Sequence, residues 1–353
     1  MNDYLAIILP SLKIGGGNRV LLQFLELAKR DNKKCKLFYL NRKGGKFLMP
    51  SVENISQSVI NDSLFAILLA SLILSFRIRF DSSIKTIVIS DPVLSIFSFI
   101  YSRNKVVRFV QSNDLELFNK NTKGGGFANF IYKIIFKFTQ KYRYHAVIFN
   151  SQYSLVAYNK TLPANKFFSS SSIVNPPVFT INYNKNNISQ ISSPINISIV
   201  TSSQPRKGLS KFIEIVNKSK LENINYFVIS QDKLNLPNKN IILKNPESDM
   251  EYVKILQKCH FALSTSTFEG FGLPLIEAMA LGIIPIAIYN KGMDEYYNKK
   301  NITIIKSVED FDIQITNIIT NNDKYIKLSN EAINTASLFT EQKFYSSIIK
   351  KIQ

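Results

Sequence analysis

Two glutamates, eight positions apart in a Gly-rich segment, are the side chains of this sequence best placed for chemistry. Glu269 stands in the turn Glu-Gly-Phe-Gly-Leu-Pro, and Glu277 lies in the apolar helix predicted to follow it. Gly270 and Gly272 allow a close approach of the backbone to a ligand, and Pro274 suits a first helical turn. The turn therefore directs free amides and the positive end of a helix dipole outward, which predicts a phosphate or diphosphate site.

The string from Ser264 to Gly282 resembles the Glu-x7-Glu motif of glycosyltransferase family 4, the group 1 glycosyltransferases of the GT-B fold. The resemblance implies that Glu269 lies beside a donor sugar and that Glu277 hydrogen-bonds the ribose of its nucleotide. The other donor-binding residues that it implies in this segment are Gly270, Phe271, Gly272 and Leu273. The alternative is a buried helix with a capped start and two solvated glutamates.

A second candidate loop, Thr201-Ser-Ser-Gln-Pro-Arg-Lys-Gly208, follows a predicted strand. It resembles the family's Arg-x4-Lys-Gly loop, whose two cations hold the donor diphosphate. Lys207 and Gly208 match that loop, which implies a catalytic, phosphate-binding Lys207, whereas the arginine position falls on Ser202. Either Arg206 restores the missing charge from a different place, or the donor is bound by Lys207 and backbone amides alone.

The first half of the chain opens with a predicted strand, Tyr4–Leu9, a run of three glycines and a predicted helix. This order is typical of the opening unit of a doubly wound α/β domain, although the glycines do not match the dinucleotide fingerprint. The resemblance implies that Gly16, Gly17 and Asn18 lie at the cleft of a GT-B protein.

Polar residues follow the predicted strand Val106–Val110. Ligands of open α/β sheets bind beyond the carboxyl ends of the strands, so these residues are candidates for the acceptor side: Gln111, Asn113, Asp114 and Glu116. Asp114 is further predicted to be catalytic, by orienting the acceptor. The Gln-x-x-Glu-like spelling of this loop resembles some polysaccharide and rhamnan-type members of the family.

Apolar runs alternate with helical segments along the whole chain, which predicts parallel sheets with crossover helices. Together with the resemblance, this implies an α/β protein of the GT-B fold, with two Rossmann-like doubly wound domains facing a cleft. We expect an acceptor-side domain over 1–180, a linker over 181–194 and a nucleotide-sugar-binding domain over 195–336. A helix within 337–353 is expected to cross back to the first domain.

The net charge of +19 is concentrated in the first half of the chain. Residues 1–175 hold 24 basic and 9 acidic residues, a net +15, and the remainder holds 20 and 16, a net +4. Such an excess favours an anionic partner, namely nucleic acid, a phosphate-bearing substrate or an anionic membrane surface; the alternative is a merely soluble, Lys-rich surface. The chain shows no nucleic-acid-binding motif.

Two apolar helices raise the question of a membrane. Leu64–Phe76 is almost wholly apolar but shorter than the roughly 20 residues that span a bilayer, so a buried helix is the default and a membrane-dipping helix the alternative. Phe127–Tyr144 interleaves aromatic and aliphatic residues with lysines. It is either a helix for an anionic membrane surface or a core-packed helix with a wet basic face.

The sequence thus predicts a retaining hexosyl- or deoxyhexosyltransferase that assembles a surface polysaccharide, such as O-antigen or capsule, from a nucleotide-sugar donor on a lipid-linked acceptor. We expect no cofactor and no metal, because the Asp-x-Asp pair at Asp310 and Asp312 fits a helix cap. Cys35 and Cys259 fit buried thiols of a reducing, cytoplasmic location, with peripheral association at the inner face of the membrane. A GT-B nucleotide-sugar epimerase and a basic nucleic-acid-binding protein are the alternatives.

Overall fold

The structure is a computed structural model that describes residues 3–13, 15–42, 51–61, 63–112, 125–160, 171–183, 191, 193–237 and 240–353. Contacts divide the chain into two units. The first unit comprises 1–176 and 341–353, and the second comprises 177–340.

A parallel sheet of seven strands, in the order β3-β2-β1-β4-β5-β6-β7, forms the centre of the first unit. Its strands are β1 (Tyr4–Leu9), β2 (Lys34–Asn41), β3 (Glu53–Ser58), β4 (Ile84–Ile89), β5 (Lys105–Val110), β6 (Ala146–Phe149) and β7 (Ser171–Ile173). Its helices are α1 (Gly16–Arg30), α2 (Leu64–Phe80), α3 (Pro92–Ser95) with a 3-10 turn (Ile96–Tyr101), α4 (Gly125–Lys141) and α5 (Gln152–Asn159). Every pairing is parallel, which requires crossover connections between the paired strands.

A parallel sheet of six strands, in the order β10-β9-β8-β11-β12-β13, forms the centre of the second unit. Its strands are β8 (Ile195–Val200), β9 (Ile224–Ile229), β10 (Ile241–Lys244), β11 (Phe261–Ser264), β12 (Ile284–Ala287) and β13 (Thr303–Ile304). Its helices are α6 (Leu209–Lys218), α7 (Asp249–Leu256), α8 (Leu273–Ala280), α9 (Val308–Ile319) and α10 (Asn322–Ala336), with 3-10 turns at Phe179–Asn182, Pro205–Lys207 and Lys291–Met293.

The helix α11 (Glu341–Ile352) follows the second unit in sequence but packs in the first. Phe344, 2% exposed, inserts between Phe24 of α1 and Phe109 of β5, with ring centroids 6.2 Å from each. The α1 and α11 helices therefore cover one face of the first sheet.

The other face of that sheet is covered by α2, α3, the 3-10 turn Ile96–Tyr101 and α4. Buried residues of these elements share one core with inward side chains of β1, β2, β4, β5 and β6. Only one side of α2 packs in this core, and its other side is exposed. The default expectation that the helix is buried is therefore wrong for the exposed side.

The predicted α/β class with two doubly wound sheets is confirmed, and the predicted strands Tyr4–Leu9 and Val106–Val110 agree with β1 and β5 within one residue. Strand β3 was not predicted, because its residues Glu-Asn-Ile-Ser-Gln-Ser lack an apolar alternation. This strand forms by parallel pairing with β2, from Lys36 opposite Glu53 to Asn41 opposite Ser58.

Candidate active site

Two loops meet at the carboxyl edge of the second sheet, one after β8 and one after β11. The N–H of Thr267 donates to the carbonyl of Arg206 at 2.9 Å, and the hydroxyl of Thr265 donates to the carbonyl of Gly208 at 3.0 Å. Gly208 has a left-handed φ of 65°, and a Cβ there would lie 2.6 Å from the carbonyl carbon of Thr265. Only glycine fits both the conformation and the contact, so the sequence Lys-Gly fixes how closely the two loops approach.

The paired loops bring two cations onto one carboxylate. Lys207 Nζ donates to Glu269 Oε1 at 2.7 Å, and Arg206 Nη1 donates to Glu269 Oε2 at 3.4 Å. Arg206 is further oriented by Gln204, whose Oε1 accepts from its Nε at 3.0 Å. The cluster carries a net charge of +1, because two cations surround one anion, and it therefore favours an additional anion.

The pKa of Glu269 is lowered from its ordinary value. Burial of the carboxyl alone would raise the pKa, but the charges of Lys207 and Arg206, with hydrogen bonds from Lys207 and Ser266, outweigh burial. Glu269 is therefore an anion at neutral pH, able to accept hydrogen bonds from a polyol but unsuited to act as a general acid.

The backbone of Glu269 is held from the opposite side by the loop after β12. A Cβ on Gly292 would lie 2.7 Å from the carbonyl carbon of Glu269, so the two backbones touch. Asn290 fixes this loop, because its amide donates to the carbonyl of Ser266 at 3.1 Å and its Oδ1 accepts from the N–H of Gly292 at 3.0 Å. Glu269, Gly272, Asn290 and Tyr296 line a pocket of the second unit.

Three consecutive backbone N–H groups lie at the N-terminal end of α8. Within the described part of the chain, the amides of Phe271, Gly272 and Leu273 donate to no protein acceptor. Pro274, in the first turn of the helix, has no N–H to satisfy. The side chain of Phe271 is buried against Tyr296 and Phe339, so this segment offers its backbone to a ligand. Amides at a helix N-terminus suit an anion.

Glu277 lies in the second turn of α8 and is only 3% exposed. The hydroxyl of Tyr252, on α7, donates to its Oε2 at 2.9 Å. The carbonyl of the same residue accepts from the hydroxyl of Thr180 at 2.7 Å. Because a buried carboxylate requires such partners, Tyr252 positions Glu277; the sequence carries no signal that singles out this tyrosine among the apolar residues of α7.

The loop after β9 joins the same edge. Asp232 Oδ2 accepts from the backbone N–H of Ser203 at 2.8 Å and from its hydroxyl at 2.7 Å. The amide of Gln231 donates to the carbonyl of Pro246 at 2.9 Å. Hydrogen bonds therefore join the Lys207 loop, which follows β8, to the loop after β9, and the loop after β9 to the loop after β10; no local sequence pattern predicts these contacts.

In the first unit, another part of the candidate set lies at the carboxyl edge of its own sheet. The amide of Gln111 donates to the carbonyl of Gly17 at 3.0 Å and to the hydroxyl of Ser90 at 2.8 Å. The amide of Asn18 donates to the carbonyls of Ser11 and Lys13, both at 3.0 Å. Because α1 begins at Gly16, both Gly16 and Gly17 belong to its first turn.

The structure thus brings Lys207, Arg206, Glu269 and the 270–273 segment together in the second unit, and Gly17 and Gln111 together in the first. The candidates Asn113, Asp114 and Glu116 lie outside the described residues. Asp310 accepts from the N–H of Lys306 at 2.9 Å, and Asp312 binds the hydroxyl of Ser219 at 2.6 Å. No group of at least three metal-binding side chains occurs within the described ranges.

Residues 185–335 match the family model described as "Glycosyl transferases group 1". This region belongs to the group 1 glycosyltransferases. The match covers all six strands of the second sheet and both loops of the Lys207–Glu269 cluster, so the glycosyltransferase family assignment rests on the unit that contains this site.

Several solved structures share the fold over almost the whole chain. Sucrose-phosphate synthase from Thermosynechococcus elongatus matches at a TM-score of 0.81 and 12% identity, covering 99% of this chain and 98% of that one. HepE from Anabaena, solved with UDP and glucose, matches at 0.76 and 15% identity over 99% and 98%. WaaG, a glycosyltransferase involved in lipopolysaccharide biosynthesis, matches at 0.76 and 14% identity over 99% of both chains. These likenesses show the GT-B fold.

A curated relative matches part of the chain. It is the GDP-Man:Man(3)GlcNAc(2)-PP-Dol alpha-1,2-mannosyltransferase of Dictyostelium discoideum, 24% identical over 102 residues. The match covers 28% of this chain and 20% of that protein, so the chain spans about a fifth of the length of this relative.

Proposed function

We propose that this chain is a retaining glycosyltransferase that moves a hexosyl or deoxyhexosyl group from a nucleotide-diphosphate sugar to a growing surface polysaccharide. The observation that carries the proposal is the convergence of Lys207 and Arg206 on Glu269, beside the open amides of Phe271–Leu273. This arrangement offers side-chain cations and backbone donors for a diphosphate, and a carboxylate for the hydroxyls of a sugar.

In the proposed reaction, the bond between the anomeric carbon and the diphosphate oxygen breaks, and a bond to an acceptor hydroxyl forms on the same face of the sugar. Positive charge develops on the sugar and negative charge on the diphosphate. An ammonium has three N–H donors, and among the described residues Glu269 is the partner of Lys207, so two donors remain for the leaving group. The diphosphate oxygen takes the proton of the acceptor hydroxyl, so no separate general base is required.

Arg206 takes the place of the arginine that the family carries at the position of Ser202. Its guanidinium reaches the same carboxylate as Lys207, although it starts from an adjacent residue of the loop. Side-chain cations then neutralise the leaving group without a metal, and chelation with EDTA is expected to leave turnover unchanged.

The remaining roles follow the same scheme. Glu277 binds the ribose of the nucleotide, positioned by Tyr252. Gly16, Gly17 and Asn18 contribute to donor binding, and Gln111 to acceptor binding. Asp114 orients the acceptor, and Asn113 and Glu116 contribute to acceptor binding. The acceptor is a lipid-linked glycan at the cytoplasmic face of a membrane, in assembly of an O-antigen or capsule.

The test is thermal-shift screening of the full chain against nucleotide sugars, followed by calorimetry with the best donor. The double variant Arg206→Gln/Lys207→Gln is expected to lose donor binding, since it removes both diphosphate cations. Lys211→Gln/Lys218→Gln is the matched control, because it removes the same charge from the helix that follows the loop and whose lysines pair with Glu214.

Two results would contradict the proposal. Equal donor affinity in both double variants would show that the Lys207 loop does not hold the diphosphate. Conversion of the donor without any acceptor would indicate an epimerase. The anomeric configuration of the transferred sugar, read by NMR of the product, separates retention from inversion.

A further inference from the structure

The outward side of α2 carries a continuous apolar stripe. Its members recur every three or four residues, which places them on one face of a helix: Phe65, Leu69, Ile73, Phe76 and Phe80. The outermost two are 76% and 78% exposed, and the rings of Phe76 and Phe80 stack with centroids 6.4 Å apart. Contiguous exposed apolar surface of this kind marks a site of interaction with a protein or a membrane.

The stripe continues onto neighbouring elements of the same layer. Phe99, in the 3-10 turn packed against α2, is 61% exposed. On α4, Phe130, Ile134 and Phe138 form a second exposed stripe with a spacing of four residues. All three elements bury their other sides in one core on the same sheet face. Their outward sides form one surface, here called the α2–α4 face.

Charge on the α2–α4 face is of one sign. The sequences of α2, α4 and the 3-10 turn between them contain no Asp or Glu, whereas α2 carries Arg77 and Arg79 and α4 carries the exposed Lys133 and Lys137. Arg77 Nη1 donates to the carbonyl of Ser56 at 2.7 Å and Arg79 Nη1 to that of Ile100 at 2.6 Å, which holds both guanidiniums at the borders of the stripe.

The positive charge of the α2–α4 face indicates which kind of partner binds there. A symmetric dimer would bury the same face of both copies against each other. The arginines and lysines of one copy would then face those of the other without a compensating acid. Like charges brought together across an interface are unfavourable. An anionic surface that also accepts apolar side chains satisfies both features of the face, and an anionic phospholipid bilayer is such a surface.

We infer that the α2–α4 face docks the protein onto a bilayer that contains anionic phospholipids. The α2 helix lies in the plane of the interface, because its other side is packed on the sheet and stays there. Within the described residues, no helix is both long enough and apolar enough to span a membrane. Docking on a bilayer would bring the enzyme to a lipid-linked acceptor, so its biological role rests on the proposed function. Docking itself can be measured without donor or acceptor.

The chain contains no tryptophan, so one introduced tryptophan reports on a single place. In Phe80→Trp, fluorescence emission is expected to shift to the blue when vesicles of phosphatidylcholine with phosphatidylglycerol are added, and brominated lipids are expected to quench it. Leu338→Trp is the matched control, since Leu338 is exposed to a similar extent, 61%, but lies in the second unit. Its emission is expected to stay unchanged.

Vesicle sedimentation separates the apolar and electrostatic contributions. Phe65→Ser/Phe80→Ser is expected to abolish binding, whereas Lys133→Gln/Lys137→Gln is expected to weaken it by roughly fivefold for each charge removed. Lys350→Gln/Lys351→Gln, on α11, removes the same charge from the same unit away from the face and is expected to bind like wild type. Binding of the wild-type protein is expected to weaken as salt is raised.

Absence of binding to anionic vesicles at low salt overturns the inference, as does a blue shift of equal size in Leu338→Trp. Light scattering of the free protein provides a further check: a stable dimer that Phe65→Ser/Phe80→Ser dissociates would assign the face to a second copy. Calorimetry with the donor keeps the two proposals apart, because these variants are expected to bind it as wild type does.

Discussion

The two units of this chain use charge in opposite ways. Residues 1–176 and 341–353 hold 27 basic and 10 acidic residues, a net +17, whereas 177–340 hold 17 and 15, a net +2. The nearly neutral second unit places two of its cations on one carboxylate, with side-chain exposed fractions below 20%. The first unit buries Arg108 and pairs Lys36 with Asp81, but it also exposes Lys133 and Lys137 beside the exposed phenylalanines of α4.

The difference shows that net charge does not locate the site of chemistry. A low-dielectric, oriented ion cluster acts on a ligand far more strongly than solvated charges do. Solvated charges act collectively instead, as a field that attracts an extended anionic surface. In this protein the unit with the smaller excess carries the proposed donor site, and the unit with the larger excess carries the proposed docking face.

The largest expected effect is on stability and concerns the first unit alone. Phe344→Ala removes a buried ring between Phe24 and Phe109 and is expected to lower the free energy of unfolding of that unit by about 3–5 kcal/mol. The loss of stability is measured by denaturant unfolding, recorded in the presence and in the absence of donor. Leu338→Ala, at an exposed site, is the control; equal losses in both would contradict the assignment of α11 to the first core.

The next effect is catalytic and concerns the second unit. Lys207→Ala is expected to lower turnover by roughly 10²-fold or more, the scale for losing one donor that stabilises developing charge. Steady-state kinetics with the donor found by screening measures it. Lys211→Ala, in the helix that follows, is expected to keep wild-type turnover. Unchanged turnover in Lys207→Ala would remove this residue from the leaving-group site.

A smaller loss of stability than in Phe344→Ala is expected where a glycine is replaced in a closely packed position, and no loss is expected where the glycine faces open space. Gly292→Ala places a methyl against the backbone of Glu269 and is expected to lower the free energy of unfolding by about 1–3 kcal/mol, with weaker donor binding as Glu269 shifts. At Gly15 of the first unit, a Cβ would meet only the carbonyl of Lys13, 3.9 Å away. Gly15→Ala is therefore expected to unfold like wild type, and equal losses would rule out the contact as the cause.

The smallest expected change is in pH dependence. The folded-state pKa of Glu269 is lowered, so its stabilising effect is present above the ordinary glutamate pKa and is lost only as pH falls through the lower, folded value. Donor affinity of the wild type should therefore not change through Glu269 between about pH 5 and 8.

In Lys207→Met, burial of Glu269 is opposed mainly by Arg206, so the pKa rises. Residual donor affinity should then begin to fall at a higher pH than in the wild type, because a protonated Glu269 no longer accepts two hydrogen bonds. Calorimetry across this pH range measures the difference. A wild-type pH profile in the variant would contradict the role of Lys207 in setting this pKa.

Local patterns predicted the parts of the site that are continuous in sequence. The helix after Gly272 and the placement of Lys207-Gly208 after a strand are both as expected, because glycine, proline and apolar spacing determine them locally. The contact of Arg206 with Glu269 depends instead on the approach of two loops 63 residues apart in sequence. A local sequence pattern does not show how close two such loops come in the folded chain.

The exposed side of α2 could not be predicted for a related reason. A helix that is apolar on all sides has no preferred face, so the sequence does not indicate which residues meet the sheet. Burial of Glu277 also depends on a tertiary contact, because its hydrogen-bond partner Tyr252 comes from another helix. Tertiary contacts decide both cases.

The return of α11 to the first unit has a consequence for biosynthesis. A ribosome completes the seven strands of that unit early, but Phe344 emerges only after all of 177–340 has been made. The core of the first unit therefore cannot be completed until the second unit has been synthesised. During that time the apolar surface around Phe24 and Phe109 is uncovered. We expect chaperones that recognise apolar segments to bind the nascent chain during this interval.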